Sequence, residues 1–118
     1  MTLLIVEDDL RMRDVMSELF EPLFRQVVHC DNAEQALQRY DVLRPDVVLM
    51  DIRLPGMDGL EATRRLVRGH PDAKIYVVTS YREAQYRSRA TKNGACGFFL
   101  KDDLSLLYDA VSKRTREE

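Results

Sequence analysis

The chain has 118 residues, 45% of them hydrophobic and 32% charged, enough for one domain that buries roughly two-thirds of its unfolded surface without staples. Its 18 Lys and Arg against 20 Asp and Glu leave a formal net charge of −2 with both signs interspersed, so nothing in the composition suggests a nucleic-acid surface. Cys30 and Cys96 show no metal-ligand spacing and read as small buried thiols in a reducing compartment; with no charged leader before a long apolar core and no apolar run of membrane length, the expected location is cytoplasmic.

The chain opens with Leu3-Leu4-Ile5-Val6, a short apolar run halted by Glu7-Asp8-Asp9. This predicts a first strand, then a helix with Met12, Val15, Met16, Leu19 and Leu23 at helical spacing, Asp8 or Asp9 as its N-cap and Pro22 near its end. Gln26 to Cys30 predicts a second strand. Asp31-Asn32 starts a helix through Ala33, Ala36, Leu37 and Tyr40 that ends before Pro45. Val47 to Met50 form a third strand, which stops at Asp51 and passes into a turn built from Pro55-Gly56 and Asp58-Gly59. Asp58 caps a helix whose Leu60, Thr63, Leu66 and Val67 face inward, closed by Gly69 and Pro71. Lys74 to Thr79 predict strand four, about Glu83 to Asn93 a more polar helix cut off by Gly94, and Gly97 to Lys101 strand five. Leu104, Leu107, Ala110 and Val111 mark a last helix, and Lys113 to Glu118 is expected to fray or to begin a linker.

Five strands alternate with five helices, and the strands are apolar throughout where antiparallel ones would alternate. This pattern argues for an α/β doubly wound parallel sheet covered on both faces. Ligands of such sheets bind at the carboxyl ends of the strands, near the point where strand order reverses. Strand one ends in Glu7-Asp8-Asp9, strand three in Asp51, strand four in Thr79-Ser80 and strand five in Lys101. Two carboxylates about 5 Å apart repel by on the order of 3 kcal/mol at an effective dielectric near 20, so a cluster of Glu7, Asp8 and Asp51 needs a cation or raised pKa values. An all-oxygen donor set favours Mg²⁺ or Mn²⁺ over Zn²⁺. Mg²⁺ also binds phosphate oxygens, which fits a site where Asp51 attacks phosphorus, Lys101 neutralises a phosphoryl oxygen and the Thr79 hydroxyl donates to another.

Glu7-Asp8, Asp51 with Pro55-Gly56 and Asp58-Gly59 after it, Thr79 and Lys101, each on its own strand end and in this order, resemble the receiver domain of two-component response regulators. The resemblance covers residues 1–118. It implies a (βα)5 flavodoxin-like three-layer sandwich with strand order 2-1-3-4-5. It further implies that Asp51 accepts a phosphoryl group from a sensor histidine kinase or phosphotransfer protein. Asp8 and Asp51 would ligate Mg²⁺ directly, Glu7 through water, and Arg53 through its main-chain carbonyl. Thr79 and Lys101 would contact the phosphoryl group, and Thr79 with Phe98 would form the switch. Such a domain is a signalling switch, limited as a catalyst to its own phosphorylation and slow dephosphorylation. It would act on a downstream protein or a fused output domain through the face of helix four, strand five and helix five, with phosphorylation-dependent homodimerisation among the forms the resemblance allows, and without contacting nucleic acid or membrane. Two positions differ from the family's common pattern: Phe98 carries no hydroxyl where tyrosine is frequent, and Lys101 is followed by Asp102-Asp103 where proline is frequent.

Taken singly, each of these residues has a plainer explanation. Asp8 and Asp9 are good helix caps, Asp51 a turn residue, Thr79 a strand-end hydroxyl, Lys101 a solvated charge and Phe98 ordinary core. Their convergence on one rim outweighs those readings. A haloacid-dehalogenase-like phosphohydrolase needs a second Asp two residues after the nucleophile, where this chain has Arg53. A flavodoxin-like FMN module needs a phosphate cradle after strand one, where Glu7-Asp8-Asp9 would repel phosphate. The remaining alternatives are a receiver cut from a longer DNA-binding transcriptional regulator and a receiver-shaped scaffold that is never phosphorylated.

Overall fold

The computed structural model describes residues 1–117. The elements run β1 (Thr2–Val6), α1 (Leu10–Phe20), a short 3-10 turn (Glu21–Leu23), β2 (Gln26–Cys30), α2 (Ala33–Leu43), β3 (Val47–Met50), α3 (Gly59–Gly69), β4 (Ile75–Thr79), α4 (Ala84–Lys92), β5 (Gly97–Leu100) and α5 (Leu104–Glu117). All five strands are parallel in the order β2-β1-β3-β4-β5, the doubly wound flavodoxin-like sandwich that the sequence predicts. Strand and helix limits differ from the sequence reading by a residue at Lys74, Glu83, Asn93 and Lys101, within the usual ambiguity of element ends.

The apolar strands have two buried faces, and each residue's parity decides which face it joins. Leu3, Ile5, Val47, Leu49, Tyr76 and Val78 pack with Met16 and Phe20 of α1 and Leu107 and Val111 of α5. Leu4, Val6, Val48, Met50 and Ile75 pack on the other side with Ala33, Ala36 and Tyr40 of α2 and Ala62 and Leu66 of α3. A third cluster, Ile52, Leu60, Val77, Ala90 and Phe98, fills the space under α4. The small alanines of α2 and α3 let those helices lie close on the sheet.

Caps stop the helices as expected at three starts. Asp9 accepts from the amides of Arg11 and Met12, Asn32 from Gln35 and Asp58 from Glu61, so Asp9 takes the capping role and leaves Asp8 free of it. Arg44 closes α2 in the left-handed region at φ 46°, immediately before Pro45, which cannot continue a helix.

Two expectations change. Val15 is 43% exposed, because the inward stripe of α1 runs through Met12, Met16 and Phe20 and Val15 falls beside it. Cys96 is exposed while Cys30 is buried, since Cys96 precedes β5 at the open edge of the sheet. Of the stretch from Lys113 to Glu118 expected to fray or to begin a linker, residues through Glu117 are helical in α5 and Glu118 lies outside the described residues. The last turns of this helix are held by buried Ser112, by the Thr115 hydroxyl donating to the Ser112 carbonyl at 2.8 Å, and by Arg114 donating to the Tyr76 hydroxyl at 2.6 Å.

Candidate functional site

Strand order reverses between β1 and β3, and the parallel pairing of the sheet runs one residue past the strands at this rim. Glu7 N–H donates to the Cys30 carbonyl at 3.0 Å, Asp51 N–H to Val6 at 3.1 Å and Lys101 N–H to Thr79 at 2.9 Å. The backbone carrying each charged group is therefore as fixed as the sheet itself. This anchoring fixes Glu7, Asp51 and Lys101 through the sheet, while Arg53 enters the site from the β3–α3 loop.

Glu7, Asp8 and Asp51 bring carboxylate oxygens within 4.8 Å of one another. Glu7 is fully buried, Asp51 is 5% exposed and Asp8 is exposed. Lys101 answers part of this charge: its Nζ lies 2.8 Å from Glu7 Oε1 and 3.2 Å from Asp51 Oδ2. The Glu7 contact has an ion-pair distance but not hydrogen-bond angles, so Oε1 has no directed donor, whereas Oε2 accepts from the Asp9 amide at 3.2 Å.

Electrostatics follow from this crowding. Burial first and the Glu7 charge second push the Asp51 carboxyl up to about 7, against the opposing pull of Lys101. Burial pulls the Lys101 ammonium down, but the adjacent Glu7 carboxylate and the Asp51 carboxylate outweigh that, and its pKa is raised. One ammonium among three carboxylates leaves the cluster short of positive charge. An under-satisfied buried oxygen beside two other carboxylates, with no nitrogen or sulfur donor in the group, fits a hard divalent cation such as Mg²⁺ or Mn²⁺.

A cleft of about 330 Å³ opens over the cluster, lined by Glu7, Asp8, Asp9, Asp51, Arg53, Thr79, Ser80, Tyr81 and Lys101. Thr79 is 1% exposed and its hydroxyl oxygen accepts from the Tyr81 amide at 3.1 Å. Arg53, on the β3–α3 loop, is exposed at the mouth of the cleft, and Tyr81 is half-buried and stacks on Tyr86 with ring centroids 4.7 Å apart. Beneath the loop, Gly59 is required by close approach: a Cβ there would lie 1.8 Å from the Asp51 carbonyl oxygen, a position open only to glycine.

Phe98 stands apart from the cleft. It is 8% exposed, turned into the cluster with Ile52, Leu60, Val77 and Ala90. The Arg87 guanidinium of α4 lies 4.7 Å from its ring centroid and donates to its carbonyl at 3.5 Å. The structure thus brings Glu7, Asp8, Asp51, Arg53, Thr79 and Lys101 to one cleft and leaves Phe98 one layer below α4. Sequence reading did not single out Arg87. Nor did it find the exposed ion pair of Arg82 with Asp102, which joins the β4–α4 and β5–α5 loops beside Lys101. Charged residues on a polar helix or in a loop look alike in sequence whether or not they find a partner.

Residues 3–112 match the response regulator receiver domain family. The response regulator GacA of Pseudomonas viridiflava is 38% identical over 100 residues, covering 83% of this chain and 47% of GacA, so the chain spans about half the length of that relative. The chemotaxis protein CheY of Listeria monocytogenes is 34% identical over 100 residues, 84% of each chain. Among solved structures, the BeF3-activated receiver domain of Klebsiella pneumoniae RstA superposes with a TM-score of 0.89 at 26% identity, covering 98% of this chain and 99% of that one. The chain belongs to the receiver domain family of two-component response regulators.

Proposed function

We propose that residues 1–118 form a phosphoacceptor receiver that takes a phosphoryl group from a histidine kinase, or from a phosphotransfer protein, onto Asp51. The observation that supports this most is the convergence of a buried carboxylate, an ammonium at 3.2 Å and two further carboxylates in one cleft. An Asp51 oxygen attacks phosphorus, the bond to the donor's imidazole nitrogen breaks, and the imidazole leaves with the electron pair and takes up a proton. Lys101 holds charge on a phosphoryl oxygen, and the Thr79 hydroxyl gives up its local contact to donate to another.

Glu7, Asp8, Asp51 and the Arg53 carbonyl would hold Mg²⁺, or Mn²⁺ in its place, which supplies charge neutralisation between the carboxylates and the incoming phosphoryl group. The chain's own contribution is to present Asp51 from a backbone fixed by the sheet and to keep Lys101 charged beside it.

The output follows from Thr79 and Phe98. When Thr79 turns toward phosphate, the β4–α4 loop loses the Thr79–Tyr81 contact, and the packing of Phe98 under α4 changes with it. The population shifts between two arrangements of the α4–β5–α5 face, which would bind a downstream protein, an output domain or a second copy of the chain. This domain itself touches neither nucleic acid nor membrane; among the described residues no helix is long and apolar enough to cross a membrane, and we place it in the cytoplasm. It acts as a switch, catalysing only its own phosphorylation and slow dephosphorylation.

Because GacA is about twice the span of the match, a second arrangement follows, in which this receiver is the input half of a longer transcriptional regulator. Incubation with a phosphorylated histidine kinase tests the shared reading: transfer of label to the native protein, and none to Asp51→Asn, is the expected result. Label retained on the kinase would reject it for the kinase tried, and label on the asparagine variant would reject Asp51.

A further inference from the structure

We infer that Glu34, on the first turn of α2 and outside the carboxylate cluster, is a positioning residue for the cation site. It acts by fixing the β3–α3 loop that carries Arg53. This rests on the reading of the cluster as a Mg²⁺ site.

The loop between β3 and α3 is pinned at its base, where Gly59 N–H donates to the Ile52 carbonyl at 2.8 Å and Asp58 caps α3. Leu54 is buried and Met57 packs against the core formed with Ala33 and Ala36. Between those contacts the backbone turns through Gly56 at φ +77°. Glu34 Oε2 accepts from the Met57 amide at 3.1 Å. A Cβ on Gly56 would come within 2.8 Å of the same oxygen. The glycine thus does two things at once: it adopts a backbone conformation that L side chains rarely take, and it leaves the space through which a carboxylate from another helix reaches the loop.

Asn32 already caps α2 and Glu34 is exposed, so core packing does not depend on it, and its first-turn charge adds only modestly to the helix. What depends on it is the middle of the loop. Without Glu34 the loop is held at its base and by two apolar side chains, and the Arg53 backbone, two residues from Asp51, gains freedom that must be lost again when a cation is bound. A single charge-assisted hydrogen bond to a backbone amide acts on this scale.

The test uses the whole chain as native protein, Glu34→Ala and Glu34→Gln. Mn²⁺ affinity is measured by electron paramagnetic resonance, amide exchange at Met57 by NMR without metal, and thermal unfolding without metal. Glutamine keeps an acceptor oxygen at the same reach. The expected result for Glu34→Ala is Mn²⁺ affinity weaker by about three- to tenfold and faster exchange at Met57. Glu34→Gln should stay within about twofold of native affinity, with the melting temperatures of all three within about 3 °C. Native affinity in Glu34→Ala, or equal weakening in both variants, overturns the positioning role and leaves the cation site standing. Weakening accompanied by a large fall in melting temperature assigns Glu34 to stability and also overturns it. A native protein that takes up no Mn²⁺ overturns the cation site itself.

Discussion

Lys101 and Asp51 stand 50 residues apart in sequence and meet at 3.2 Å, each carried one residue past the end of its strand by a backbone hydrogen bond to the neighbouring strand. Their meeting is set by sheet register, so it holds whether or not the surrounding loops move.

Removing the ammonium from this pair leaves Glu7 buried beside Asp51 with only the Asp9 amide on its other oxygen. Lys101→Met should destabilise the metal-free protein by about 3 kcal/mol, read as a lower midpoint in urea at unchanged slope. It should also take up little or no phosphate. An unchanged midpoint would show that the pair is solvated in solution.

The raised Asp51 carboxyl makes stability depend on pH in a definite direction. At low pH both folded and unfolded chains hold the proton and the group contributes nothing. From the ordinary carboxylate value of 3.8 up to about 7, the unfolded chain ionises while the folded one keeps its proton, so stability falls as pH rises and then levels off. Asp51→Asn removes that slope. Above pH 7 in the absence of metal, it should be more stable than the native protein by about 1–3 kcal/mol, less than the full shift because Lys101 loses its partner. Added Mg²⁺ should raise the melting temperature of the native protein and close this gap.

Gly59 tests the loop beneath Asp51. With 1.8 Å between an added Cβ and the Asp51 carbonyl, Gly59→Ala must displace β3 or α3. It should cost about 3 kcal/mol or more in denaturant unfolding. A near-native midpoint would mean that α3 can slide off the sheet end without penalty.

Arg53 and Tyr81 lie two residues beyond Asp51 and Thr79 and line the same cleft. We propose that their side chains flank the opening through which water would reach an acyl phosphate on Asp51. Replacing both by alanine should shorten the phosphorylated lifetime by about tenfold or more, a change of about 1.4 kcal/mol in barrier. Timing phosphate loss from the phosphorylated double variant checks this, and an unchanged lifetime would remove the gating role.

Much of the site was legible because the residues that end the apolar runs are chemically unlike the runs. Glu7, Asp51, Thr79 and Lys101 each stop a strand, and a parallel sheet puts such stops on one rim. The two-faced core was less legible: Leu3 and Leu4 belong to opposite cores, yet a strand buried on both sides carries no alternation to separate them. Val15 fits helical spacing as well as Met16 does, and only the position of the sheet puts it outside. Glu34 with Met57 and Arg87 with Phe98 are contacts between elements, 23 and 11 residues apart. Neither residue type nor spacing marks them, because the partners are a backbone amide and a ring face that any sequence offers.

On the function proposed above, Asp51 receives the phosphoryl group with help from a cation held by Glu7 and Asp8. Intact mass measured after incubation with acetyl phosphate, with and without Mg²⁺, tests it most directly. The native protein should gain the mass of one phosphoryl group only when Mg²⁺ is present, and Asp51→Asn should gain none. Phosphorylation of the asparagine variant, or uptake by the native protein that is indifferent to Mg²⁺, would contradict the account.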